Sequence, residues 1–257
     1  YKFVEVPYLG MEHQSSVTYG NKFMNGYLGT DLSDTGWGLK WDFIIVHESG
    51  HEWFANNITH QDAADMWIHE GFTSYSESLF TEYFYGKEAG AAYSRGLRKR
   101  IQNKSPIIGD YNVNSKASID VYYKGHNLLH TIRQIINDDV KWRSILVGMN
   151  KDFYHRMVSS SEVEEYISRK SDIDFSKVFN QYLRDTRVPI LEYFIKEDLL
   201  HYRWTNVIKG FDMPLKIKAA GHDVWLNPTE SFSQIQVKNE NVEFDNNFYV
   251  YTFQLED

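Results

Sequence analysis

Apolar residues recur at intervals of three and four along most of the chain up to about residue 187. This spacing places them on one helix face and predicts a series of amphipathic helices. Capping residues support the boundaries, with Asp62 or Asp65 before the second helix and a capping-box pair, Ser161 with Glu164, in the sixth. The predicted helices cover residues 42–56, 65–84, 87–102, 119–137, 139–152, 161–170 and 174–184.

Shorter segments precede the first helix. Residues 1–6 read as a strand that ends before Pro7, because proline cannot donate a ladder hydrogen bond. Residues 8–23 alternate over short stretches between glycines, and residues 25–40 read as a glycine-containing loop. We therefore expect a small sheet at one edge of the helical region. Since the first strand has no partner before it, the chain reads as a part of a longer polypeptide.

The pattern changes after Pro189. Runs of four to six residues are rich in aromatic and β-branched side chains, with turn signals at Asn227-Pro228 and Asn246-Asn247. They predict a small antiparallel β-sandwich over residues 188–257, after a mainly helical domain over residues 1–187. The fold class expected from this order is α+β. The predicted strands cover residues 190–195, 200–204, 215–219, 224–227, 233–237 and 248–253.

The composition of the chain argues against several classes of protein and several kinds of partner. With 257 residues, of which 42% are hydrophobic, the chain can bury a sizeable core. A formal net charge of -8 argues against a nucleic-acid partner, which would select a basic face, and against an anionic membrane surface. No apolar run approaches the roughly eighteen residues of a membrane span. Because the chain has no cysteine, any metal must be held by histidine and carboxylate side chains.

The main candidate for chemistry is the pattern H-E-x-x-H, formed by His47, Glu48 and His51 in the first predicted helix. Positions four apart lie on one helix face, about 6 Å apart along the axis, so both imidazoles can reach one tetrahedral ion. Glu48 then points into the same cleft without being a ligand. A helix whose histidines are only solvated or hydrogen-bonded is the simpler interpretation of the same pattern.

Two histidines leave a metal site incomplete, so a third ligand must come from elsewhere in the chain. Glu70 follows His51 with eighteen residues between them and lies in the second predicted helix. A carboxylate there completes three protein ligands and leaves a fourth position open for water, as in catalytic zinc sites. The sequence thus predicts one Zn²⁺ per chain, held by His47, His51 and Glu70.

Four short segments occur in a fixed order along the chain. They are Leu9-Gly10-Met11-Glu12-His13, HESGHEWFANN from residue 47, His69-Glu70-Gly71-Phe72, and Tyr122-Tyr123-Lys124-Gly125. Together they resemble the zinc aminopeptidases of the aminopeptidase N type, which are gluzincin metallopeptidases and include the leukotriene hydrolase-aminopeptidases. That family carries G-x-M-E-N in the first segment, so Leu9 and His13 depart from its pattern.

The resemblance implies a fold as well as a site. It implies a thermolysin-like zinc peptidase catalytic domain over residues 1–187, and the β-rich tail is similar to the small sandwich domain that follows in many members. The family's large N-terminal β-domain and its C-terminal helical domain have no counterpart in this chain. The missing N-terminal β-domain of the parent chain is accordingly an expected partner.

Two catalytic roles are expected at the metal site. Glu48 is placed to take a proton from the attacking water and to pass it to the leaving amine. A phenol can donate to the oxyanion that forms on the substrate carbonyl. By resemblance this phenol is Tyr122, and Tyr123 is the alternative because periodicity alone does not decide which ring faces the cleft.

Binding of the substrate amine is expected at the Met-Glu segment. A free α-ammonium can form a strong hydrogen bond with Glu12, and an internal peptide bond would leave that carboxylate unpaired. Glu70 lies near enough to contribute to the same amine site. By resemblance, Gly10 and Met11 are also substrate-binding, with Met11 in the pocket for the first side chain. A carboxylate on a strand surface is the simpler interpretation of Glu12.

The sequence gives weaker indications of a function for other titratable residues. Zinc-bound histidines usually donate their second N–H to a carboxylate or carbonyl, and Asp42 and Asp65 are the candidates. His126 and His130 form a second pair four residues apart but have no carboxylate partner, so they read as an ordinary helix face. Even so, His126 could lie close to the cleft.

The predicted function is a zinc-dependent aminopeptidase that acts on peptides with a free N-terminus through a metal-activated water. The alternatives are a thermolysin-like endopeptidase without the amine site, and an inactive fragment or scaffold that retains zinc. An epoxide hydrolase side activity, as in the leukotriene relatives, is possible by resemblance. A periplasmic or secreted bacterial enzyme is the expected setting, with the cytoplasm as the alternative.

Overall fold

The computed structural model describes residues 1–115, 118–237 and 242–256. Each of the helices predicted from the pattern has a counterpart among these residues. They are α1 (Phe43–Gly50), α2 (Trp67–Tyr85), α3 (Lys87–Gly96), α4 (Tyr123–Ile136), α5 (Asp139–Asp152), α6 (Ser160–Ser171) and α7 (Ser176–Arg184).

The strands in the same described ranges are short and form four sheets. They are β1 (Phe3–Glu5), β2 (Gly10–Met11), β3 (Val17–Tyr19), β4 (Ile58–His60), β5 (Arg156–Val158), β6 (Ile190–Lys196), β7 (Leu199–Thr205), β8 (Leu215–Ala219), β9 (His222–Leu226), β10 (Ser233–Gln236), β11 (Glu243–Phe244) and β12 (Tyr251–Gln254). The strand orders are β1-β3-β2, β4-β5, β10-β7-β6-β12 and β11-β8-β9.

Helix α1 begins as predicted and ends earlier. Asp42 caps it by accepting hydrogen bonds from the backbone N–H groups of Ile44 and Ile45. The helix ends at Gly50, and the predicted extension to residue 56 is wrong. The chain instead turns, with a hydrogen bond from the Asn56 N–H to the His51 carbonyl, and enters β4. The parallel pairing of β4 with β5 was not predicted, because three-residue strands show too little alternation.

Two predicted caps lie at other positions in the structure. The capping box of α6 is formed by Ser159 and Glu162, two residues before the predicted pair of Ser161 and Glu164. Before α2, Asp62 caps a short 3-10 turn at residues 63–65, and α2 itself has no side-chain cap. The polar residues of these segments thus indicated a helix start, but several of them compete for the cap.

The N-terminal sheet lies beside α1. Strand β1 pairs in parallel with β3, and β2 pairs antiparallel with β3 on its other side, which leaves β2 at the edge. Gly10 of β2 approaches α1 so closely that a Cβ atom there would lie 2.7 Å from Ile44 Cγ2 and 3.0 Å from Glu48 Oε1. The absence of a side chain at Gly10 therefore allows this strand to run along the H-E-x-x-H helix.

Helix α2 crosses α4 at a point where both carry glycine. A Cβ atom on Gly125 would lie 3.0 Å from the Cα of Gly71, so the two backbones are nearly in contact. Around the crossing, Trp67, Phe72 and Leu128 are fully or almost fully buried. This contact brings the residues next to Gly71 on α2 close to the residues that precede α4.

The β-rich tail forms a four-stranded sheet and a three-stranded sheet. Most of its strand pairs are antiparallel as predicted, but β12 pairs in parallel with β6, so the wholly antiparallel arrangement is wrong at that strand. Buried residues of these sheets, such as Leu191 and Leu215, belong to the same apolar cluster as Phe179 of α7. The sandwich arrangement and the domain boundary at residues 187 and 188 remain predictions. None of the helices described is both long and apolar enough to cross a membrane.

Candidate metal centre and active site

The side chains of His47, His51 and Glu70 converge between α1 and α2. Glu70 Oε2 lies 3.5 Å from His47 Nε2 and 3.4 Å from His51 Nε2. All three residues are buried, and one ligand atom from each lies within 4.8 Å of the others. The structure thus brings together the three residues that the spacing predicted as metal ligands.

The second nitrogen of each histidine is already hydrogen-bonded. His47 Nδ1 lies 2.8 Å from Glu77 Oε1, and His51 Nδ1 lies 3.0 Å from the carbonyl oxygen of Phe54. Thr73 also contacts His51 Nδ1, at 3.1 Å. These contacts fix both rings so that each Nε2 faces Glu70.

The predicted partners of the two histidines are therefore wrong. Asp42 caps α1 and accepts a hydrogen bond from the Tyr19 hydroxyl. Asp65 accepts hydrogen bonds from the hydroxyls of Tyr111 and Ser160. Both carboxylates are hydrogen-bonded to other groups, and Glu77 of α2 is the partner of His47 instead.

The spacing of the three atoms fits a tetrahedral cation. Zinc bonds of about 2.0–2.1 Å in tetrahedral geometry place neighbouring ligand atoms about 3.3 Å apart, close to the separations seen from Glu70. Glu70 Oε2 is also buried with no hydrogen-bond partner of its own. A buried carboxylate oxygen aimed between two imidazole nitrogens is the donor set that Zn²⁺ prefers.

The charges at this centre are strongly coupled. Burial alone would lower the pKa of His47, but the nearby carboxylates of Glu70 and Glu77 raise it well above its usual value. Burial would raise the pKa of Glu70, but the nearby imidazoles of His47 and His51 lower it well below the usual range. The carboxylate of Glu70 thus stays ionised at a position where it would attract a cation.

Glu48 lies beside the three converging residues without joining them. It is 5% exposed, and its Oε2 is buried without a hydrogen-bond partner. Burial raises the pKa of Glu48, while His47 and His51 act in the opposite direction. A buried carboxylate with a free oxygen and a raised pKa is suited to moving protons.

Of the two candidate phenols, Tyr122 is the one in contact with the centre. Its hydroxyl donates to Glu70 Oε1 at 3.0 Å, and its ring centroid lies 6.1 Å from that of His47. Burial first, and then Glu70, raise the pKa of Tyr122 well above its usual value. The pKa of Tyr123 is raised to about 12, mainly by burial, and its ring belongs to the apolar cluster around Trp41.

The Met-Glu segment borders the same space. A carboxylate oxygen of Glu12 lies within 4.8 Å of the ligand atoms of Glu48 and His51. The side-chain amide of Asn56 donates to the backbone carbonyl of Glu12 at 3.3 Å. Met11 is 48% exposed on the edge strand β2, and Gly10 contacts α1 as described above. Glu12 and Gly10 thus lie next to the converging residues, and Met11 lies between them in the chain on an exposed part of the edge strand.

The second histidine pair, His126 and His130, is bonded to other groups. His126 Nε2 is hydrogen-bonded to the hydroxyls of Ser78 and Ser94, and His130 Nε2 lies 3.3 Å from the Asn247 side chain. Neither is part of a group that could hold a metal among the residues described. They are buried polar residues of the core.

Glu77 was not predicted as a site residue, although its spacing from Glu70 indicates one. Glu77 follows Glu70 by seven residues on α2, which is about two helical turns, so both side chains project from the same face. Asn56 was noticed as part of the matched motif but was given no role.

The chain is similar to known proteins of one family. A family model described as the peptidase family M1 domain matches residues 3–182. Aminopeptidase N of Lactobacillus helveticus is 26% identical over 210 residues, which cover 73% of this chain and 23% of that protein. Aminopeptidase B of Homo sapiens is 22% identical over 211 residues, covering 77% of this chain and 30% of that protein. The chain thus spans less than a third of the length of these two relatives.

Solved structures show a similar fold. The chain resembles aminopeptidase A of Legionella pneumophila in complex with aspartic acid, with a TM-score of 0.73 and 15% identity over 99% of this chain and 32% of that one. A mutant M1 zinc metallopeptidase from Deinococcus radiodurans, bound to a Tyr-Ser-Ala substrate, has a TM-score of 0.58 and 20% identity over 73% of this chain and 40% of that one. The family match covers most of the sequence, and the chain therefore belongs to peptidase family M1.

Proposed function

We propose that this chain carries the catalytic centre of a zinc-dependent aminopeptidase. The observation that supports this most directly is the convergence of His47, His51 and Glu70 with a free carboxylate, Glu48, beside them. Membership of family M1 and the aminopeptidase names of the relatives support hydrolysis of peptides from the N-terminus. The geometry of the chain's own residues supports a proposed role for each of them.

The proposed zinc ligands are His47, His51 and Glu70. When bound, Zn²⁺ at these residues supplies Lewis-acid chemistry, since it makes water more acidic and polarises a carbonyl group. The protein contributes the fixed orientation of each donor, through Glu77 on one histidine and the Phe54 carbonyl on the other.

Glu48 is the proposed general base and acid. Its raised pKa and free oxygen allow it to take a proton from the attacking water and to deliver it to the leaving amine. Tyr122 is the proposed oxyanion donor, because its hydroxyl remains protonated and lies at the centre. A protonated phenol there can donate a hydrogen bond to the carbonyl oxygen as negative charge develops on it.

Glu12 is the proposed site for the substrate α-ammonium, with Met11 and Gly10 in the adjoining edge strand. The carboxylate of Glu12 lies close to Glu48 and His51, so a cation there would be at a fixed short distance from the reacting bond. This position favours an aminopeptidase over an endopeptidase, because an internal peptide bond would leave Glu12 without a partner.

The test compares one peptide with a free N-terminus and the same peptide N-acetylated, together with the zinc content of the purified protein. We expect one zinc per chain, cleavage of the free peptide only, and loss of turnover by about 10²–10⁴-fold in Glu48→Gln with zinc retained. Cleavage of the acetylated peptide would favour the endopeptidase. Zinc without cleavage of either peptide would favour a scaffold, and unchanged turnover in Glu48→Gln would exclude the proposed base.

A further inference from the structure

A hydrogen-bonded chain extends from the metal centre into the core. Glu77 Oε1 lies 2.8 Å from His47 Nδ1, and Glu77 Oε2 accepts a hydrogen bond from the Tyr93 hydroxyl at 2.7 Å. Glu77 and Tyr93 are both fully buried. Helices α1, α2 and α3 thus each contribute one residue to a chain that ends at a proposed zinc ligand.

Tyr93 is held firmly at the far end of this chain. Its ring packs against Trp41, with the ring centroids 5.4 Å apart, inside the smaller apolar cluster. Burial first, and then Glu77, raise the pKa of Tyr93 well above its usual value. The phenol therefore stays protonated and remains a hydrogen-bond donor to Glu77.

The two zinc histidines are oriented in different ways. His51 Nδ1 faces a backbone carbonyl, that of Phe54, whose direction is set by the main chain. His47 Nδ1 faces a glutamate, whose terminal torsion is broad unless both oxygens are held. The Tyr93 hydroxyl holds the oxygen that His47 does not use, so it determines which way the carboxylate plane of Glu77 faces.

We propose that Tyr93 is a positioning residue of the metal centre: through Glu77 it fixes the orientation and tautomer of His47, and it thereby sets the affinity for Zn²⁺. This inference rests on the proposed zinc site. Removal of the hydroxyl leaves a buried oxygen of Glu77 without its donor, so the carboxylate is free to rotate away from His47. Loss of the direct partner of a metal-ligating histidine weakens metal binding by about 10–100-fold. Loss of the Tyr93 hydroxyl acts through that partner and in the same direction.

The test measures the Zn²⁺ dissociation constant by competition with a chelator, for the unaltered protein and for Tyr93→Phe. Tyr182→Phe is a matched control, because Tyr182 is also fully buried and its hydroxyl donates a hydrogen bond, to the Tyr249 carbonyl at 2.6 Å. We expect Tyr93→Phe to weaken zinc binding by about tenfold, the lower end of the effect of losing a direct partner. Tyr182→Phe should change it by less than about twofold, even though both variants lose a buried hydrogen bond.

A double-mutant cycle tests the route through Glu77. In a Glu77→Ala background, Tyr93→Phe should have little further effect on the zinc dissociation constant, because no side chain then links Tyr93 to His47. Equal effects of Tyr93→Phe in both backgrounds would overturn the proposal. So would unchanged zinc binding in Tyr93→Phe. If Tyr93→Phe does not fold, Glu77→Ala alone decides, since unchanged zinc binding there removes the link on which the proposal depends.

The two proposals fail in distinguishable ways. If the unaltered protein binds no stoichiometric zinc, or if His51→Ala binds it equally well, the proposed metal site is wrong. If the unaltered protein binds one zinc and Tyr93→Phe binds it as tightly, the proposed function stands and only the positioning role of Tyr93 is lost.

Discussion

Tyr122 is the residue whose contribution can be separated most clearly from metal binding. Its hydroxyl contacts Glu70 Oε1, whereas His47 and His51 face the other carboxylate oxygen, Oε2. A protonated phenol contributes where charge develops during the reaction and much less to the ground state. Tyr123, which was left open as an alternative, packs with the cluster around Trp41.

Tyr122→Phe is expected to lower kcat by about 10²–10³-fold while KM changes only a few-fold, because the lost hydrogen bond belongs to the transition state. Steady-state kinetics on an aminoacyl chromogenic substrate would measure both constants. The control is Tyr123→Phe, which should keep most of the activity. A larger loss of kcat in Tyr123→Phe than in Tyr122→Phe would show that the wrong phenol was chosen.

At the residue scale, sequence spacing predicted which side chains converge, but it did not reveal all the residues that orient them. The pattern around His47 and the distance to Glu70 were sufficient, because helix geometry converts spacing into position. Glu77 was accessible by the same reasoning, seven residues after Glu70. Tyr93 was not, because it lies on another helix and no spacing in the sequence links it to Glu77. The catalytic and binding roles of the predicted residues remain predictions.

Among the elements, the crossing of α2 and α4 controls the geometry of the centre. Gly71 and Gly125 allow the two backbones to approach within van der Waals contact. Glu70 directly precedes Gly71 on α2, and Tyr122 lies just before the start of α4. A wider crossing would therefore move a proposed ligand and a proposed oxyanion donor at the same time.

Gly125→Ala is expected to destabilise the protein by about 1–3 kcal/mol, because the new Cβ meets the Gly71 backbone, which cannot rotate away. Gly148→Ala in α5 is the control, since its Cβ would meet only the Tyr166 hydroxyl at the tip of a side chain. That variant should be close to neutral. Urea unfolding would measure both changes, and equal stability of the two variants would contradict the proposed tight crossing.

At the element scale, long periodic helices were predicted well and short or non-local elements were not. The predicted end of α1 at residue 56 is wrong, because the turn after Gly50 continues the apolar pattern although the helix has ended. The pairing of β4 with β5 and the parallel pairing of β12 with β6 join segments that are distant in sequence. Such partners are chosen by packing rather than by local propensity.

Across the whole molecule, a buried histidine makes stability depend on pH. Burial lowers the pKa of His130 to about 3, and the hydrogen bond with Asn247 offsets this only in part. The cationic side chains of Arg95, Arg98 and Arg133 face the same ring and lower its pKa further. His130 thus stays neutral in the folded chain at pH values where it is protonated in the unfolded chain.

The free energy of unfolding should consequently be unaffected by His130 above about pH 6.5 and should fall as the pH drops below that value. The expected contribution is up to about 1.4 kcal/mol per pH unit until the pH nears 3. His130→Gln should reduce the slope of the unfolding free energy against pH, measured by urea unfolding between pH 6 and 4. His155→Gln, at an exposed histidine, is the control, and an equal slope in both variants would contradict the assignment.

Helices α2 and α4–α7 and the two sheets of the β-rich tail contribute to one continuous apolar cluster, with Phe179 on one side of residue 187 and Leu191 and Phe248 on the other. A shortened chain that stops at the predicted boundary would carry an uncovered apolar surface into water, and it would tend to aggregate rather than fold. Recombination or engineering within this family would thus have to exchange the helical part together with its β-rich tail.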